Sequence, residues 1–197
     1  IRTASASLAW ENQVQGWDFS PLEELAIVDY GDCPFDAGTP EKVPEQIYQQ
    51  AKAILATDTA LLSMGGDHFV SYPLLRAHAE KYGPLALIHF DAHSDTWEDD
   101  GERIDHGTMF YHATKQGLVV PEHSAQIGLR TYNESTMGFN IFDGPTVHEQ
   151  GAAHMADGFV VVGVDDAIDV GVAGRSEGQR RGERQGDRGQ PCRDCGK

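Results

Sequence analysis

The sequence predicts an α/β fold in which helices cover both faces of a mainly parallel sheet. Short, continuous apolar segments alternate along the chain with longer segments of helical period. Glycine and proline separate many of these segments. The chain has 197 residues, of which 40% are hydrophobic, so it is long enough to bury a core. Strands of a parallel sheet read as continuous apolar runs because both of their faces are buried.

Five apolar segments are predicted to be strands, because each is short and is bounded by polar or turn-forming residues. In chain order they are LAIVD (25–29), TALLSM (59–64), LALIHFD (85–91), SAQIGLR (124–130) and FVVVGV (159–164). Two segments between them, residues 41–57 and residues 71–83, have helical period. The second of these helices is expected to stop at the Gly83-Pro84 pair.

The chain is predicted to divide into an incomplete α/β domain, residues 1–165, and a Gly- and Arg-rich tail, residues 166–197. Beyond residue 170 there is no aromatic residue, and Val172 is the only bulky aliphatic one, so this tail cannot bury a core. We expect it to be either disordered or an out-of-frame translation, because the change in composition is abrupt. The chain also begins without Met, and we expect its true start to be missing.

The charge and the cysteines indicate a class of protein. A net charge of −16 argues against nonspecific binding to nucleic acid and suits a cationic ligand. No run of about 18 apolar residues is present, so no membrane span is expected. The first residues lack the apolar core of a signal peptide. Cys33, Cys192 and Cys195 are too few for a disulfide framework. Together these observations predict a cytoplasmic enzyme.

Polar side chains gather at the ends of two predicted strands. Asp67 and His68 follow the second strand and its glycine turn, and HFDAHSD (89–95) ends the third. Ligands of open α/β sheets bind at the carboxyl ends of strands. If the alternation of a strand continues through HFDAHSD, one side of it carries His89, Asp91, His93 and Asp95. Trp97, just beyond, is expected to pack in the core or at an interface in preference to lining a pocket.

Carboxylates and imidazoles together are a ligand set that suits manganese, zinc or iron. One carboxylate can bridge two ions about 3.5–4 Å apart, and Asp91 is the central candidate for that role. His68 would approach from the neighbouring strand end. The alternative is that these side chains cap helices or bond to loop backbone, but two clusters on successive strand ends favour metal. Beside such a site, His106 is a candidate proton shuttle.

Several stretches resemble the ureohydrolase family of arginases and agmatinases. They are SLAWEN, SMGGDHF, LALIHFDAHSDT, DHGTMFY and HSAQIGLRT. The resemblance covers about residues 1–148 and is nearest to the bacterial agmatinases. It implies that residues 1–165 are a partial ureohydrolase domain. It also implies an arginase-like three-layer α/β/α sandwich with a mainly parallel sheet, truncated in this chain.

The resemblance implies a site with two Mn²⁺ ions. His68 would bind one ion and His93 the other, and Asp91 would bridge them. Asp95 would ligate the first ion and act in catalysis by orienting the attacking hydroxide. His106 would match the proton-transfer histidine of the family. The reaction would be hydrolysis at a guanidinium carbon, which releases urea and an amine.

Agmatine is the substrate that the resemblance favours. Arginases carry a stretch resembling SGNxHG around the proton-transfer histidine, where polar groups read the α-carboxylate and α-amine of arginine. This chain has RIDHGTMF instead. The implied reaction converts agmatine, a small cationic guanidino compound, into putrescine and urea. It would serve putrescine, spermidine and polyamine biosynthesis. The resemblance also implies that the protein is a homo-oligomer. Two alternatives stay open: another guanidino or amidino hydrolase, such as a guanidinobutyrase or arginase, and a non-catalytic metal-binding fragment.

The chain departs from the family pattern after residue 159. Family members have a later strand resembling FDIDxxDPxxxPGxGTP, whose first two Asp residues complete the metal shells. Here the sequence reads VVVGVDDAIDVGVAG, with Val164 where the first Asp should stand. Asp165 and Asp166 are therefore not assigned as ligands, and the activity of the chain as given stays open.

Overall fold

The computed structural model of the chain describes residues 2–6, 18–99 and 104–151. The chain forms two compact units, Ile1–Pro34 and Phe35–Lys197. Within the described residues, no helix is both long enough and apolar enough to cross a membrane.

The first unit contains two short helices, α1 (Arg2–Ser5) and α2 (Pro21–Glu24). The Arg2 guanidinium forms exposed ion pairs with Asp29 and with Asp32. The strand predicted at residues 25–29 is wrong, because these residues are not in a strand. A strand forms only where a neighbour completes its hydrogen bonds, and apolar sequence alone does not supply that neighbour.

The second unit is built on a parallel sheet, as predicted. Its described strands are β1 (Ile88–Phe90), β2 (Ala125–Leu129) and β3 (Asn140–Asp143), in the order β1-β2-β3 with both pairs parallel. The strands predicted at residues 85–91 and 124–130 are thus confirmed, with shorter bounds. The register sets His89 opposite Gln126 on β2.

Helices described in this unit include α3 (Val43–Leu55), α4 (Ser71–Tyr82) and α5 (Met109–Lys115), and residues 144–151, the last described ones, are also helical. The helices predicted at residues 41–57 and 71–83 are therefore confirmed as α3 and α4. Helix α4 ends at Gly83, which has a φ of +85°. Glycine adopts this left-handed conformation without the steric cost that a Cβ brings.

Other expectations differ from the structure. Residues 59–64 do not form a strand, and Leu62 and Met64 within them are 58% and 69% exposed. Within the described residues no hydrogen-bonded ladder includes this segment. Helix α5 and strand β3 were not predicted, because MFYHATK and NIFD are too short for a clear period. The segment 159–164 and the tail 166–197 lie outside the described residues.

The core of the second unit supports the end of β1. One cluster of buried side chains comes from α4, α5 and the segments beside β1; it comprises Tyr72, Leu75, Leu85, Leu87, Met109, Phe110, Ala113, Val119 and Phe139. Ser124 is also fully buried; its hydroxyl accepts from the Leu87 N–H (2.9 Å) and donates to the Val120 carbonyl (2.6 Å). Phe110 is the member of this core that reaches the functional site described below.

Truncating the core should destabilise this unit much more than truncating an exposed leucine. Leu75 is fully buried, so Leu75→Ala should lower the free energy of unfolding by about 2–5 kcal/mol through lost burial and a residual cavity. Leu62→Ala removes the same atoms from an exposed position and serves as the matched control. Urea unfolding measures both variants, and equal losses would contradict this assignment of the core.

Candidate metal centre

The site lies where β1 ends and where a short 3-10 turn, His68–Val70, leads into α4. Asp67 caps this turn, because its carboxylate accepts from the Phe69 N–H at 2.8 Å. The cap fixes the backbone just before His68. The His68 Nδ1 then lies 2.7 Å from the Asp95 Oδ2, which joins the turn to the segment that follows β1.

Backbone hydrogen bonds hold that following segment. The Ala92 carbonyl accepts from the N–H groups of Arg130 (2.9 Å) and Thr131 (3.2 Å), just beyond β2. The Asp95 carbonyl accepts from the Phe110 N–H at 2.9 Å. Asp95 itself has a φ of +52°, a left-handed conformation that Asp and Asn adopt more readily than most residues. The acidic side chains are thus presented by an anchored loop and not by a continuing strand.

The two carboxylate oxygens of Asp91 face different imidazoles. Its Oδ1 accepts from the His93 backbone N–H at 2.8 Å and lies 3.1 Å from the His93 Nδ1. Its Oδ2 lies 3.8 Å from the His68 Nδ1 and 3.9 Å from the His89 Nε2. A carboxylate whose oxygens point to two sets of ligand atoms has the arrangement of a bridging ligand.

His89 is the residue that sequence reasoning placed on this side of the strand without giving it a role. It is 5% exposed and lies between the ring of His68, 5.1 Å away, and the ring of Phe110, 4.8 Å away. Ligand atoms of His68, His89 and Asp91 lie within 4.8 Å of one another. The Nδ1 of His89 is 3.3 Å from the Nε2 of Gln126, which sequence reasoning did not single out at all.

The local environment shifts the pKa values of His68, His89 and Asp91 in different directions. Hydrogen bonding to Asp95 raises the pKa of His68, against the effect of its partial burial. Burial, with the neighbouring His68, lowers the pKa of His89 to about 4. Burial alone would raise the pKa of Asp91, but the backbone N–H of His93 and the surrounding imidazoles bring it below its usual value. At neutral pH the site therefore contains an ionised Asp91 beside a neutral His89.

The arrangement fits divalent metal ions. Asp95 is 7% exposed in its side chain, and a carboxylate so buried requires a compensating cation or proton. At 2.7 Å, the His68 Nδ1 donates a hydrogen bond to the Asp95 carboxylate, and this hydrogen compensates part of the buried charge. The four predicted ligands, His68, Asp91, His93 and Asp95, offer nitrogen and carboxylate oxygen, the donors that transition metals of this class prefer.

These groups open into one cavity of about 420 Å³. Its lining consists of Asp67, His68, Asp91, His93, Asp95, Trp97, His106 and Gly107. All the residues predicted for the site are thus brought to one cavity. Trp97 lines the cavity and is 38% exposed, so of the two packing positions expected for it, core or interface, the core position is wrong. His106 is exposed, and its Nδ1 lies 3.5 Å from the Asp67 Oδ1.

Comparisons with known proteins point to one family. The model of the family described as "Arginase family" matches residues 1–168 of this chain. An agmatinase from Chromobacterium violaceum is 54% identical over 153 residues, which are 77% of this chain and 47% of that protein. An agmatinase from Proteus mirabilis is 45% identical over 151 residues, with 77% and 49% covered. The chain therefore spans about half the length of the curated relatives it matches.

Solved structures agree with the sequence comparisons. The crystal structure of a hypothetical agmatinase from Burkholderia thailandensis matches with a TM-score of 0.76 and 47% identity, over 81% of this chain and 50% of that one. Proclavaminate amidino hydrolase from Streptomyces clavuligerus matches with a TM-score of 0.68 and 29% identity, over 80% and 55%. These matches confirm the predicted arginase-like α/β fold.

The pair of His68 and Asp95 should make the stability of the metal-free chain depend on pH. A raised folded-state pKa means that the stabilisation is complete below the ordinary histidine pKa of about 6.5. It is lost as the pH rises through the raised pKa of His68. Urea unfolding in the presence of a chelator, from about pH 6.5 to mildly alkaline pH, should therefore show a falling free energy of unfolding; below that window the lowered pKa of His89 makes stability rise with pH instead.

Two variants separate this effect from other titrations. His68→Asn removes the titrating group and should flatten the profile in this window. His123→Asn changes an exposed histidine of the same unit and should keep the slope of the wild type. A His68→Asn profile as steep as that of the wild type would contradict the assignment.

Proposed function

This chain belongs to the arginase family, and from that membership we propose that it carries part of the active site of an agmatinase, which hydrolyses agmatine to putrescine and urea. The carrying observation is the placement of Asp91, whose two oxygens face His93 on one side and His68 on the other. Agmatinases at 54% and 45% identity support the choice of reaction.

We propose two Mn²⁺ ions as the cofactor. His68 and Asp95 would hold one ion, His93 would hold the other, and Asp91 would be shared. The short distance between the His68 Nδ1 and the Asp95 Oδ2 supports the first pair. When bound, such an ion pair supplies an activated water and Lewis-acid polarisation for hydrolysis. Imidazole and carboxylate donors suit manganese but also other divalent ions, so the metal itself is part of the proposal.

The charge of the cavity suits a cationic substrate. Three carboxylates line it, those of Asp67, Asp91 and Asp95. Agmatine carries a guanidinium at one end and an ammonium at the other, and a lining of one sign concentrates a ligand of the opposite sign. Trp97 offers an aromatic face beside these carboxylates, and aromatic rings attract guanidinium groups.

The reaction adds water to the guanidinium carbon and breaks its bond to the nitrogen that carries the alkyl chain. Urea keeps the former guanidinium carbon, and the alkyl nitrogen leaves as the amine of putrescine after it gains a proton. His106 lies at an exposed position of the cavity, where an imidazole exchanges protons with solvent, and we assign it that proton transfer. We assign to Asp95 the orientation of the attacking water.

Two other functions have specific support. Proclavaminate amidino hydrolase, at 29% identity, makes another guanidino or amidino hydrolase the second candidate. The third candidate is a non-catalytic metal-binding fragment, because the chain spans about half the length of its curated relatives. A homo-oligomeric state and a cytoplasmic location are proposals that follow from the same family membership.

Metal binding tests the shared role of Asp91. Asp91→Asn should abolish Mn²⁺ binding at both positions, whereas His68→Asn should weaken one position. Glu122→Gln, an exposed carboxylate away from the cavity lining, should bind as the wild type does. Calorimetric titration with Mn²⁺ measures all four proteins. Full occupancy in Asp91→Asn, equal to that of the wild type, would refute the bridging assignment.

Urea release tests the reaction and its substrate. The Mn²⁺-loaded chain should release urea from agmatine faster than from arginine or 4-guanidinobutyrate, and chelation should stop the release. Faster cleavage of either competitor would move the assignment to the second candidate. If the folded chain binds Mn²⁺ but releases no urea from any of the three substrates, the result would support the third candidate, a non-catalytic metal-binding fragment.

A further inference from the structure

We propose that His89 is a positioning residue for the Asp91 carboxylate and not a metal ligand, with its tautomer set by a relay from Ser94 through Gln126. The inference rests on the proposed metal centre, since it assigns the part that His89 plays there. Proximity alone would suggest the opposite, because the ligand atoms of His89, His68 and Asp91 lie within 4.8 Å of one another.

The first step is the orientation of the Gln126 amide. The Gln126 Nε2 lies 2.6 Å from the backbone carbonyl oxygen of Ser94. A carbonyl oxygen only accepts hydrogen bonds, so the NH₂ group of the amide must face it. Gln126 is fully buried and therefore keeps this orientation. The amide of Gln126 is thus fixed by the loop that also carries the proposed ligands.

The second step is the tautomer of His89. The NH₂ group of Gln126 has a second hydrogen, and the His89 Nδ1 lies 3.3 Å from the same nitrogen. Since that group is a donor, the Nδ1 of His89 must be the acceptor. A neutral imidazole has one N–H, so the hydrogen of His89 resides on Nε2. The side chain therefore presents a donor at the end that faces the site.

The Nε2–H of His89 needs an acceptor. The His89 Nε2 is buried and has no hydrogen-bond partner in the structure. Among the described residues, the Asp91 Oδ2 is a carboxylate oxygen that lies close to it, at 3.9 Å. Buried donors are rarely left unpaired in native proteins. The N–H of His89 thus favours the position of Asp91 in which Oδ2 stays between His89 and His68.

The same relay disfavours ligation by His89. To bind a metal through Nε2, the ring would have to carry its hydrogen on Nδ1. That hydrogen would then face the NH₂ group of Gln126, and two donors would oppose each other in a buried space. Rotation of the amide would relieve this conflict only by turning the Gln126 oxygen toward the Ser94 carbonyl oxygen.

Nuclear magnetic resonance of the metal-free wild-type chain tests the tautomer directly. The protein is labelled with ¹⁵N-histidine, held at about pH 8, where the imidazole is neutral, and kept in chelator. Long-range ¹H–¹⁵N correlations should show the hydrogen of His89 on Nε2. A hydrogen on Nδ1 would overturn the proposal. This measurement needs neither metal nor substrate, so its outcome is independent of the proposed reaction.

Affinity for Mn²⁺ tests the positioning role. His89→Phe keeps a planar ring and removes the donor, and it should weaken Mn²⁺ binding by about 10- to 100-fold, as loss of a residue that orients a ligand does. His89→Gln restores an N–H at a similar reach and should recover most of that loss. If His89→Phe binds as the wild type does, the proposal fails. If wild type binds no Mn²⁺ while His89 shows the Nε2–H tautomer, the metal assignment fails and the relay stands.

Discussion

The carboxylates at the end of β1 impose the constraint on which the rest of the site depends. Asp95 is almost completely buried and Asp91 is partly buried, and both lie against imidazole rings. Such groups are stable inside a protein only when cations or protons compensate their charge. The imidazole of His68 donates a hydrogen bond to the Asp95 carboxylate, and metal ions would take over that compensation. The fold therefore has to hold several mutually repelling carboxylates and still leave a cavity open to a cation.

The structure meets this constraint with backbone hydrogen bonds instead of strand geometry. Continued strand alternation would place Asp91, His93 and Asp95 on one side, but β1 ends at Phe90. Beyond that point the loop is held by donors near β2 and α5, and Asp95 takes a left-handed backbone. The predicted residues converge, as alternation suggested, for a different physical reason. Long-range hydrogen bonds of this kind leave no period in a sequence, so they could not be predicted from it.

Other parts of the fold show the same division between local and long-range information. Helices α3 and α4 were predictable because their apolar period and their end signals are local. Residues 59–64 carry an apolar pattern but lack a ladder within the described residues, so their composition was misleading. Gln126 lies opposite His89 only through the parallel register of β1 and β2. The contact between Gln126 and His89 could not be predicted from the sequence, because it depends on that register.

The hydrogen bonds of the site also tie the proposed ligands to one another and to the sheet. The loop after β1 is anchored to residues after β2, and Gln126 of β2 contacts both Ser94 and His89. A displacement of β2 would therefore disturb both the anchors of the loop and the contact of Gln126 with His89. Phe110 adds a rigid floor, since its ring contacts His68 and His89 from the core. The arrangement of the proposed ligands is thus coupled to the packing of α5 and to the register of the sheet, because the same few groups contact all three.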